Sequence, residues 1–199
     1  RKLPSRPHDI PTPEPLMKFM EQGWAPSPLE NLQRSSAADF AAKRRELLSK
    51  AFPGKRLVIP AGTFKVRSND SDYRFRPHTA FSWLTGIGGS DAVPDSVLIL
   101  EPSGSSHESL LFIHPRSPRE RSDEFYRNPR HGEFWIGRRM TLDESQLVYG
   151  ITVRHIDSLD DFLASERETF IIRGEDNYID SRIKENNGDE DLASWVSEA

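Results

Sequence analysis

Four short apolar runs, spaced along the chain between helical patterns, constrain the fold more than any other feature of the sequence. They read RLVIPAG (56–62), SVLILEP (96–102), SLLFIHP (109–115) and ETFIIRG (168–174). Each run is bounded by turn residues, which predicts a buried β-strand. Because strands that alternate with helices are typical of layered α/β proteins, we expect an α/β layer fold.

The clearest helical pattern lies just before the first apolar run. Residues 35–54 read SSAADFAAKRRELLSKAFPG, in which a serine at the start can cap a helix and Pro53-Gly54 ends it. The predicted apolar stripe of this helix consists of Phe40, Leu47, Leu48 and Ala51. DESQLVYG (143–150) and SLDDFLAS (158–165) also predict helices, whereas FSWLT (81–85) predicts a strand followed by a glycine turn.

Composition excludes several classes of protein. The 199 residues carry a formal net charge of −4, so no global positive field attracts nucleic acid or acidic lipid. There is no cysteine, which excludes a disulfide framework and a thiolate metal site and favours a cytoplasmic location. The chain has no apolar stretch of about 18 residues and no signal-peptide pattern at its basic start, so we expect no membrane association.

The distribution of proline suggests three segments. Seven of the fifteen prolines lie within residues 1–35, and because proline fixes φ and removes a backbone donor, this segment predicts an extended arm. We expect the α/β domain itself to span 36–174. Residues 175–199 contain the acidic, turn-rich stretch ENNGDED (185–191) and predict an interrupted helix that leads out of the domain.

The polar motifs do not form a complete catalytic signature. His131-Gly132-Glu133 has the His-x-Glu form of zinc deaminases, but the cysteines that such a site needs are absent. The glycine-rich stretch 86–89 fits neither a dinucleotide-binding nor a phosphate-binding loop. Seven arginines within 116–139 are interleaved with aromatic residues, yet nearby carboxylates offset four of them. We therefore predict no catalytic residue, no metal site and no nucleic-acid partner in this chain.

Three stretches in a fixed order resemble one known family. SNDSDYRFRPHTAFSWLTGIGGSDAV (68–93) resembles the segment S-x-D-x-x-Y-x-[FY]-R-x-x-x-x-F-x-[YW]-[LF]-T-G of the aminopeptidase P amino-terminal domain. FWIGRRM (134–140) resembles the Trp-x-Gly-Arg-Arg that follows in that domain. FAAKRRELLSKAFPGKRLVIPAG (40–62) lies where the family has its preceding helix, and the whole resemblance covers 39–174.

The resemblance implies both a fold and a function. The fold is a mixed β-sheet flanked by helices, as in the amino-terminal domains of creatinase and prolidase. Enzymes of the family remove the residue that precedes proline at the second position of a peptide, and a pair of metal ions, usually manganese, activates water in their carboxy-terminal domain. By resemblance, this chain is a non-catalytic domain that lines the substrate cleft and builds subunit contacts in a dimer or tetramer. The catalytic domain and its two manganese ions are expected outside this chain.

The resemblance also extends to individual positions. Asp70 and Trp135 match positions whose counterparts reach a family active site. We expect Asp70 to accept a hydrogen bond or pair with a cation, and Trp135 to present a flat apolar face to a proline ring. The residues expected to shape the loops are Tyr73, Arg76, Phe81, Trp83, Arg138 and Arg139. Structural roles stay open, since Asp70 can cap a turn and Trp135 can belong to the core.

Two other classes of protein are compatible with these residues. A prolidase or a creatinase-like amidinohydrolase shares the domain architecture, and some relatives keep the fold as a non-enzymatic peptide-binding module. The order of helix, strand and Gly-Arg-Arg favours aminopeptidase P.

Overall fold

The chain forms two compact units. The structure is a computed structural model, and it describes residues 13–20, 22–25, 29–69, 71–115, 117 and 124–199. The small unit comprises Arg1–Asn31 and Pro115–Thr141, and the sheet unit comprises Leu32–His114 and Leu142–Ala199.

The described residues form seven strands and nine α-helices. The strands are β1 Arg56–Pro60, β2 Val66–Ser68, β3 Ser71–Asp72, β4 Val97–Ser103, β5 Ser106–Ile113, β6 Thr152–His155 and β7 Thr169–Ile171. The helices are α1 Glu14–Met20, α2 Ala38–Ala51, α3 Thr79–Thr85, α4 Glu124–Arg127, α5 Glu133–Ile136, α6 Leu142–Tyr149, α7 Leu159–Leu163, α8 Asn177–Asp180 and α9 Gly188–Glu198. None of the helices in these described ranges combines the length and the hydropathy that crossing a bilayer requires.

The main sheet of the sheet unit is mixed. Its strand order is β6-β5-β4-β1-β7, with antiparallel pairs in the centre and parallel pairs, β6 with β5 and β1 with β7, at the two edges. A tight turn through Gly104, at φ 60°, joins β4 to β5 in a conformation that glycine adopts without strain. The mixed sheet and its flanking helices confirm the predicted α/β fold.

All four apolar runs form strands of this sheet, as predicted. Every residue of β1 is buried, as are the first four residues of β4 and the last four of β5. The edge strand β6 has no counterpart among the predicted strands. Only Val153 is buried among its described residues, so this short segment carries no continuous apolar run that would reveal it.

Helices cover both faces of the main sheet. One face holds a cluster of buried side chains from the strands together with two from α7 and α8: Val58, Val97, Ile99, Leu110, Phe112, Leu159, Ile171 and Ile179. Successive side chains of a strand point to opposite faces, so Leu57, Ile59 and Leu98 pack on the other side, against α2 and α3.

Helix α2 presents a different face to the sheet from the one predicted. Its buried residues are Ala38, Ala41, Arg45, Leu48 and Ser49. Phe40 and Leu47 are 61% and 56% exposed and Ala51 is exposed as well, so Leu48 is the only residue of the predicted stripe that is buried. The reason is that Arg45 anchors the helix by donating from Nε to Ser109 Oγ at 3.0 Å and from Nη1 to the Leu84 carbonyl oxygen at 2.7 Å. Burial, with a smaller contribution from Arg34, lowers the pKa of Arg45 to about 10, which keeps it charged at neutral pH.

The stretch FSWLT belongs to helix α3, so the predicted strand is wrong. The side chains of Phe81 and Leu84 are buried at helical spacing, and the Thr85 hydroxyl donates to the Phe81 carbonyl oxygen at 2.7 Å. Gly86, at φ 75°, ends the helix in the left-handed conformation, and its N–H donates to the Ser82 carbonyl oxygen at 2.8 Å. The glycine turn predicted after this segment is therefore a helix C-cap.

The segment that follows β7 contains the helices α8 and α9, and α9 packs on the main sheet. Asp189 Oδ1 accepts a hydrogen bond from the Ile171 N–H at 2.9 Å, and Oδ2 accepts one from Arg173 Nε at 2.6 Å. The Gly188 backbone lies against the Phe170 ring, where a Cβ atom would come within 2.3 Å of ring carbons. Residues of 175–199 are thus part of the sheet unit in this structure.

The small unit contains an aromatic cluster of its own, in which Phe125 is the buried member. The rings of Trp24 and Phe125 lie 5.0 Å apart edge to face, and Phe134 lies 6.2 Å from Trp24 and 6.3 Å from Phe125. Phe125 is 2% exposed. Gly132 allows the start of α5 to approach α4 closely, because a Cβ there would lie 2.5 Å from the Glu124 carbonyl oxygen.

Candidate functional site

A cavity of about 380 Å³ lies beyond the carboxyl ends of β1 and β7. It is lined by Ala61, Gly62, Thr63, Lys65, Tyr73, Arg74, Phe75, Arg76, Pro77, His78, Thr79 and Glu175. Because β1 and β7 are adjacent and parallel, the loops that follow them leave the sheet at the same edge. Open α/β sheets bind ligands at this edge, which makes the cavity the candidate site of the sheet unit.

Backbone hydrogen bonds hold the cavity walls in place. The His78 N–H donates to the Ala61 carbonyl oxygen at 2.8 Å, and the Tyr73 N–H donates to that of Lys65 at 2.9 Å. Gly62, at φ 92°, adopts a conformation that a side chain would strain, and its carbonyl oxygen accepts from the Asp95 N–H at 2.9 Å. The lining side chains therefore project from a backbone that the sheet fixes.

Positive charge dominates the cavity lining. Lys65, Arg74 and Arg76 are exposed, and none of them forms an ion pair with a carboxylate in the described part of the chain. The carboxylate of the lining belongs to Glu175, whose Oε1 lies 3.8 Å from His78 Nε2. The other ring nitrogen, His78 Nδ1, is buried and makes no hydrogen bond to a described residue.

The structure brings two of the predicted site residues into this cavity. Tyr73, which is 59% exposed, and Arg76 both line it. Phe81 is 1% exposed and belongs to the core. Trp83 is half-buried outside the cavity, with the Arg44 guanidinium 5.2 Å from its ring centre and the Trp195 ring at 6.1 Å. The loop-shaping role of these four residues stays a prediction.

The position of Asp70 lies outside the residues that the structure describes. Its neighbours in the chain are the ends of the short hairpin β2-β3, where Ser68 Oγ and Ser71 Oγ lie 2.8 Å apart. The predicted contact of Asp70 with a cation or hydrogen-bond donor stays a prediction.

Trp135 lies in the small unit with its ring exposed. The side chain is attached to α5, and its indole Nε1 donates to the Tyr126 carbonyl oxygen at 2.6 Å. Phe134 packs edge to face at 5.6 Å, yet Trp135 is 59% exposed. A hydrogen bond that fixes the indole while its face stays open suits an apolar contact surface better than a core position.

The paired arginines that follow Trp135 are half-buried in the small unit. Burial lowers the pKa of Arg139 to about 10, an effect that the nearby Glu124 carboxylate partly offsets. Arg139 Nη2 donates to the Arg130 carbonyl oxygen at 3.4 Å. The structural role predicted for Arg138 and Arg139 stays a prediction.

The described residues do not offer a donor set for a catalytic metal. They contain no group of three or more His, Asp or Glu side chains placed to hold an ion. His107 is bound at both ring nitrogens, with Nδ1 2.8 Å from Ser49 Oγ and Nε2 2.7 Å from the Lys55 carbonyl oxygen. The resemblance implies a manganese pair in a catalytic domain outside this chain, and the described residues offer no alternative donor set for it.

Four titratable residues of the cavity lining were not singled out from the sequence: Lys65, Arg74, His78 and Glu175. Glu175 is distant in the chain from the others and joins them only because β7 pairs with β1. Lys65, Arg74 and His78 lie in the sequence between the first apolar run and the next helix. A loop at a sheet edge is expected there, and this position could have indicated that the three residues belong to a site.

Comparison with solved structures defines the class of domain. Aminopeptidase P from E. coli with the inhibitor Pro-Leu is similar over 74% of this chain and 32% of that protein, with a TM-score of 0.60 and 24% identity. Proline aminopeptidase P II from Yersinia pestis is similar over 73% of this chain and 31% of that protein, with a TM-score of 0.58 and 24% identity. At this identity the comparison shows a shared fold, that of one part of these longer proteins.

Sequence comparison then shows the family. The family described as "Aminopeptidase P, N-terminal domain" matches residues 40–170. The chain belongs to the aminopeptidase P N-terminal domain family, which confirms the predicted resemblance. Xaa-Pro aminopeptidase 1 of Streptomyces coelicolor is 38% identical over 191 residues, or 92% of this chain and 37% of that protein. Xaa-Pro aminopeptidase 2 of the same organism is 39% identical over 171 residues, or 84% of this chain and 35% of that protein.

Proposed function

We propose that this chain serves a Xaa-Pro aminopeptidase as its amino-terminal, non-catalytic domain. The observation that carries the proposal is the 38% identity to Xaa-Pro aminopeptidase 1 of Streptomyces coelicolor over 92% of the chain. The chain spans 37% of the length of that relative, and in this proposal the activity belongs to the remainder of such a protein. Residues 36–174 form the domain body in this proposal, with 1–35 as an arm; the segment 175–199, whose helix α9 packs on the main sheet, leads on toward the catalytic domain.

In this proposal the chain contributes walls rather than reacting groups. The exposed face of Trp135 contacts the apolar part of the peptide, and Asp70 binds a polar group at the rim of the cleft. The described residues lack a metal-binding cluster, so the two metal ions, manganese in our proposal, are held by the catalytic domain. There they supply Lewis-acid activation of the peptide carbonyl and of water. A cytoplasmic location and a dimeric or tetrameric assembly complete the proposal, and cell fractionation and light scattering test them.

The activity is tested on the full-length protein with peptides that differ only at the second residue. We expect release of the first residue from Xaa-Pro-Yaa but not from Xaa-Ala-Yaa peptides, loss of activity with a chelator, and recovery with Mn²⁺. Absence of Xaa-Pro hydrolysis in the metal-loaded protein contradicts the proposal. Hydrolysis of Xaa-Pro dipeptides alone favours a prolidase.

The contribution of this chain is tested by Trp135→Ala. An aromatic contact with a proline ring contributes about 1 kcal/mol, so we expect KM for Xaa-Pro-Yaa to rise about fivefold while the thermal midpoint stays within a few degrees. Phe40→Ala is the matched control, because this aromatic residue is 61% exposed on α2 and has no assigned role. Equal kinetics of the two variants would mean that Trp135 has only a structural role.

A further inference from the structure

We propose that the cavity beyond β1 and β7 binds a carboxylate group of a peptide. This inference rests on the proposed function, since a peptide is the substrate class of the family. Three cationic side chains, Lys65, Arg74 and Arg76, line the cavity together with the aromatic rings of Tyr73 and Phe75. The ligand class is therefore an anionic group attached to an apolar or peptidic body.

The charges of the lining do not balance one another. Lys65, Arg74 and Arg76 make no ion pair with a carboxylate within the described residues, whereas Glu175 lies beside His78. Like charges that converge on a concave wall raise the local positive potential and attract an anion. The chain as a whole carries a net charge of −4, so this positive patch is a local feature and does not reflect overall composition.

Among the described residues, no ion pair ties the three cations to the walls of the cavity. All three are exposed, and the walls of the cavity are held by backbone hydrogen bonds instead, such as that from the His78 N–H to the Ala61 carbonyl oxygen at 2.8 Å. Exposed side chains without partners contribute little to stability. Their removal should therefore change binding without unfolding the sheet unit.

Size and chemistry favour a carboxylate on a short peptide. A volume of about 380 Å³ is near the lower end of small-molecule sites and accommodates one or two residues. The planar guanidinium fork matches the two oxygens of a carboxylate. Tyr73 and Phe75 supply flat surface beside the charges, and the buried His78 Nδ1 is a further polar atom without a partner among the described residues.

The test uses the full-length protein and three peptides of one series: Xaa-Pro-Leu with a free carboxylate, the same peptide as its amide, and the amide of Xaa-Pro-Glu. We expect the amide of Xaa-Pro-Leu to show a KM about fivefold higher than the free acid, as for two partly exposed charge pairs. If the amide of Xaa-Pro-Glu has a KM as low as that of the free acid, the cavity binds the carboxylate of an acidic side chain. If its KM is as high as that of the Xaa-Pro-Leu amide, the cavity binds the terminal carboxylate. Raising the ionic strength should reduce the difference.

The variant K65Q/R74Q links this preference to the cavity. It should raise KM for the free acid about fivefold, leave KM for the Xaa-Pro-Leu amide unchanged and so abolish the discrimination. K43Q/R67Q is the matched control: it removes one Lys and one Arg that are exposed outside the cavity, Arg67 in the adjacent strand β2. The control should keep the wild-type preference, and circular dichroism should show that both variants are folded.

The outcomes separate this inference from the proposed function. If the protein hydrolyses Xaa-Pro peptides but treats acid and amide alike, the carboxylate site is refuted while the function stands. Equal loss of preference in K65Q/R74Q and K43Q/R67Q also refutes it, because the effect would then be one of overall charge. Calorimetry of the 199-residue chain with the dipeptide Pro-Leu, Pro-Leu amide and inorganic phosphate gives a readout without activity. Heat from phosphate alone would overturn the peptide assignment.

Discussion

The carboxylate of Glu101, on β4, neutralises a buried guanidinium on the neighbouring strand β1. Arg56 is 1% exposed and donates from Nε to Glu101 Oε2 at 2.6 Å and from Nη2 to Oε1 at 3.1 Å. It also donates to the Ser165 carbonyl oxygen at 3.1 Å and hydroxyl at 2.7 Å. The ring of Phe162 covers the guanidinium at 4.9 Å. The pair therefore joins β4 to the start of β1, in a site that is mostly closed to water.

Glu101→Gln removes the negative charge and keeps the size of the side chain. Loss of one member of a buried ion pair costs about 3–5 kcal/mol, because the remaining charge stays desolvated. The Glu101 side chain is 14% exposed and glutamine still accepts one hydrogen bond, so we expect the lower value, about 3 kcal/mol. Arg167 Nε also lies 2.8 Å from Glu101 Oε1, but its side chain is 51% exposed, so the loss of this second pair costs little. The double variant R56M/E101L removes both desolvated charges and should lie within about 1 kcal/mol of the wild type.

Urea unfolding of the 199-residue chain, followed by far-ultraviolet circular dichroism, measures these differences. At an unchanged urea slope, the midpoint shift reports the change in the free energy of unfolding. Glu46→Gln is the control, because Glu46 pairs with Lys50 at 2.7 Å on the exposed side of α2 and its loss should leave the midpoint unchanged. If E101Q behaves like this control, or if the double variant is less stable than E101Q, the buried pair does not have the energetic role that its geometry indicates.

Two further substitutions probe single buried groups. Tyr149→Phe removes a hydroxyl that is buried without a hydrogen bond to a described residue; burial, and to a lesser degree the Asp91 carboxylate, raises the pKa of this phenol. The unfolded tyrosine ionises at pH ~10, whereas the folded one stays protonated to higher pH. The folded state therefore keeps its full stability below pH ~10 and loses stability as the pH rises above that value. The urea midpoint of the variant should therefore equal or exceed that of the wild type at pH 7. Between about pH 9 and 11 the midpoint of the variant should fall less than that of the wild type, and an equal fall would contradict the role given to the buried phenol. Gly188→Ala should destabilise the chain by about 2 kcal/mol in the same assay, because the new Cβ would lie 2.3 Å from the Phe170 ring. This cost outweighs the preference of about 1 kcal/mol that alanine has over glycine in a helix. An unchanged midpoint would show that the ring moves aside at little cost.

The failures of the sequence-based prediction have a common physical cause. The spacing of Phe40 and Leu47 indicates a buried stripe, but the hydrogen bonds of Arg45 to Ser109 and Leu84 turn a different face of α2 to the sheet. FSWLT has the composition of a strand, and its helical state depends on the packing of α3 against β1 and β4. In both places a tertiary contact outweighs a local preference that is small by comparison.

The family motif located one part of the candidate site. It indicated Tyr73 and Arg76, which line the cavity, and it indicated Trp135, whose ring is exposed in the small unit. It did not indicate Lys65 or Glu175, because neither matches a residue that the motif specifies. Of the three cations of the cavity the motif therefore indicated only Arg76, and the structure added Lys65 and Arg74.

The sequence alone was enough to determine the α/β class, the four buried strands and the family. The strands are continuous apolar runs, and the family is defined by motif residues that follow one another in a fixed order along the chain. Only the tertiary structure decided that β7 pairs in parallel with β1, which carries Glu175 to the same sheet edge as Lys65 and His78. Pairing between strands that are distant in the chain depends on the net free energy of packing the whole sheet unit. It therefore cannot be predicted from any short stretch of the sequence.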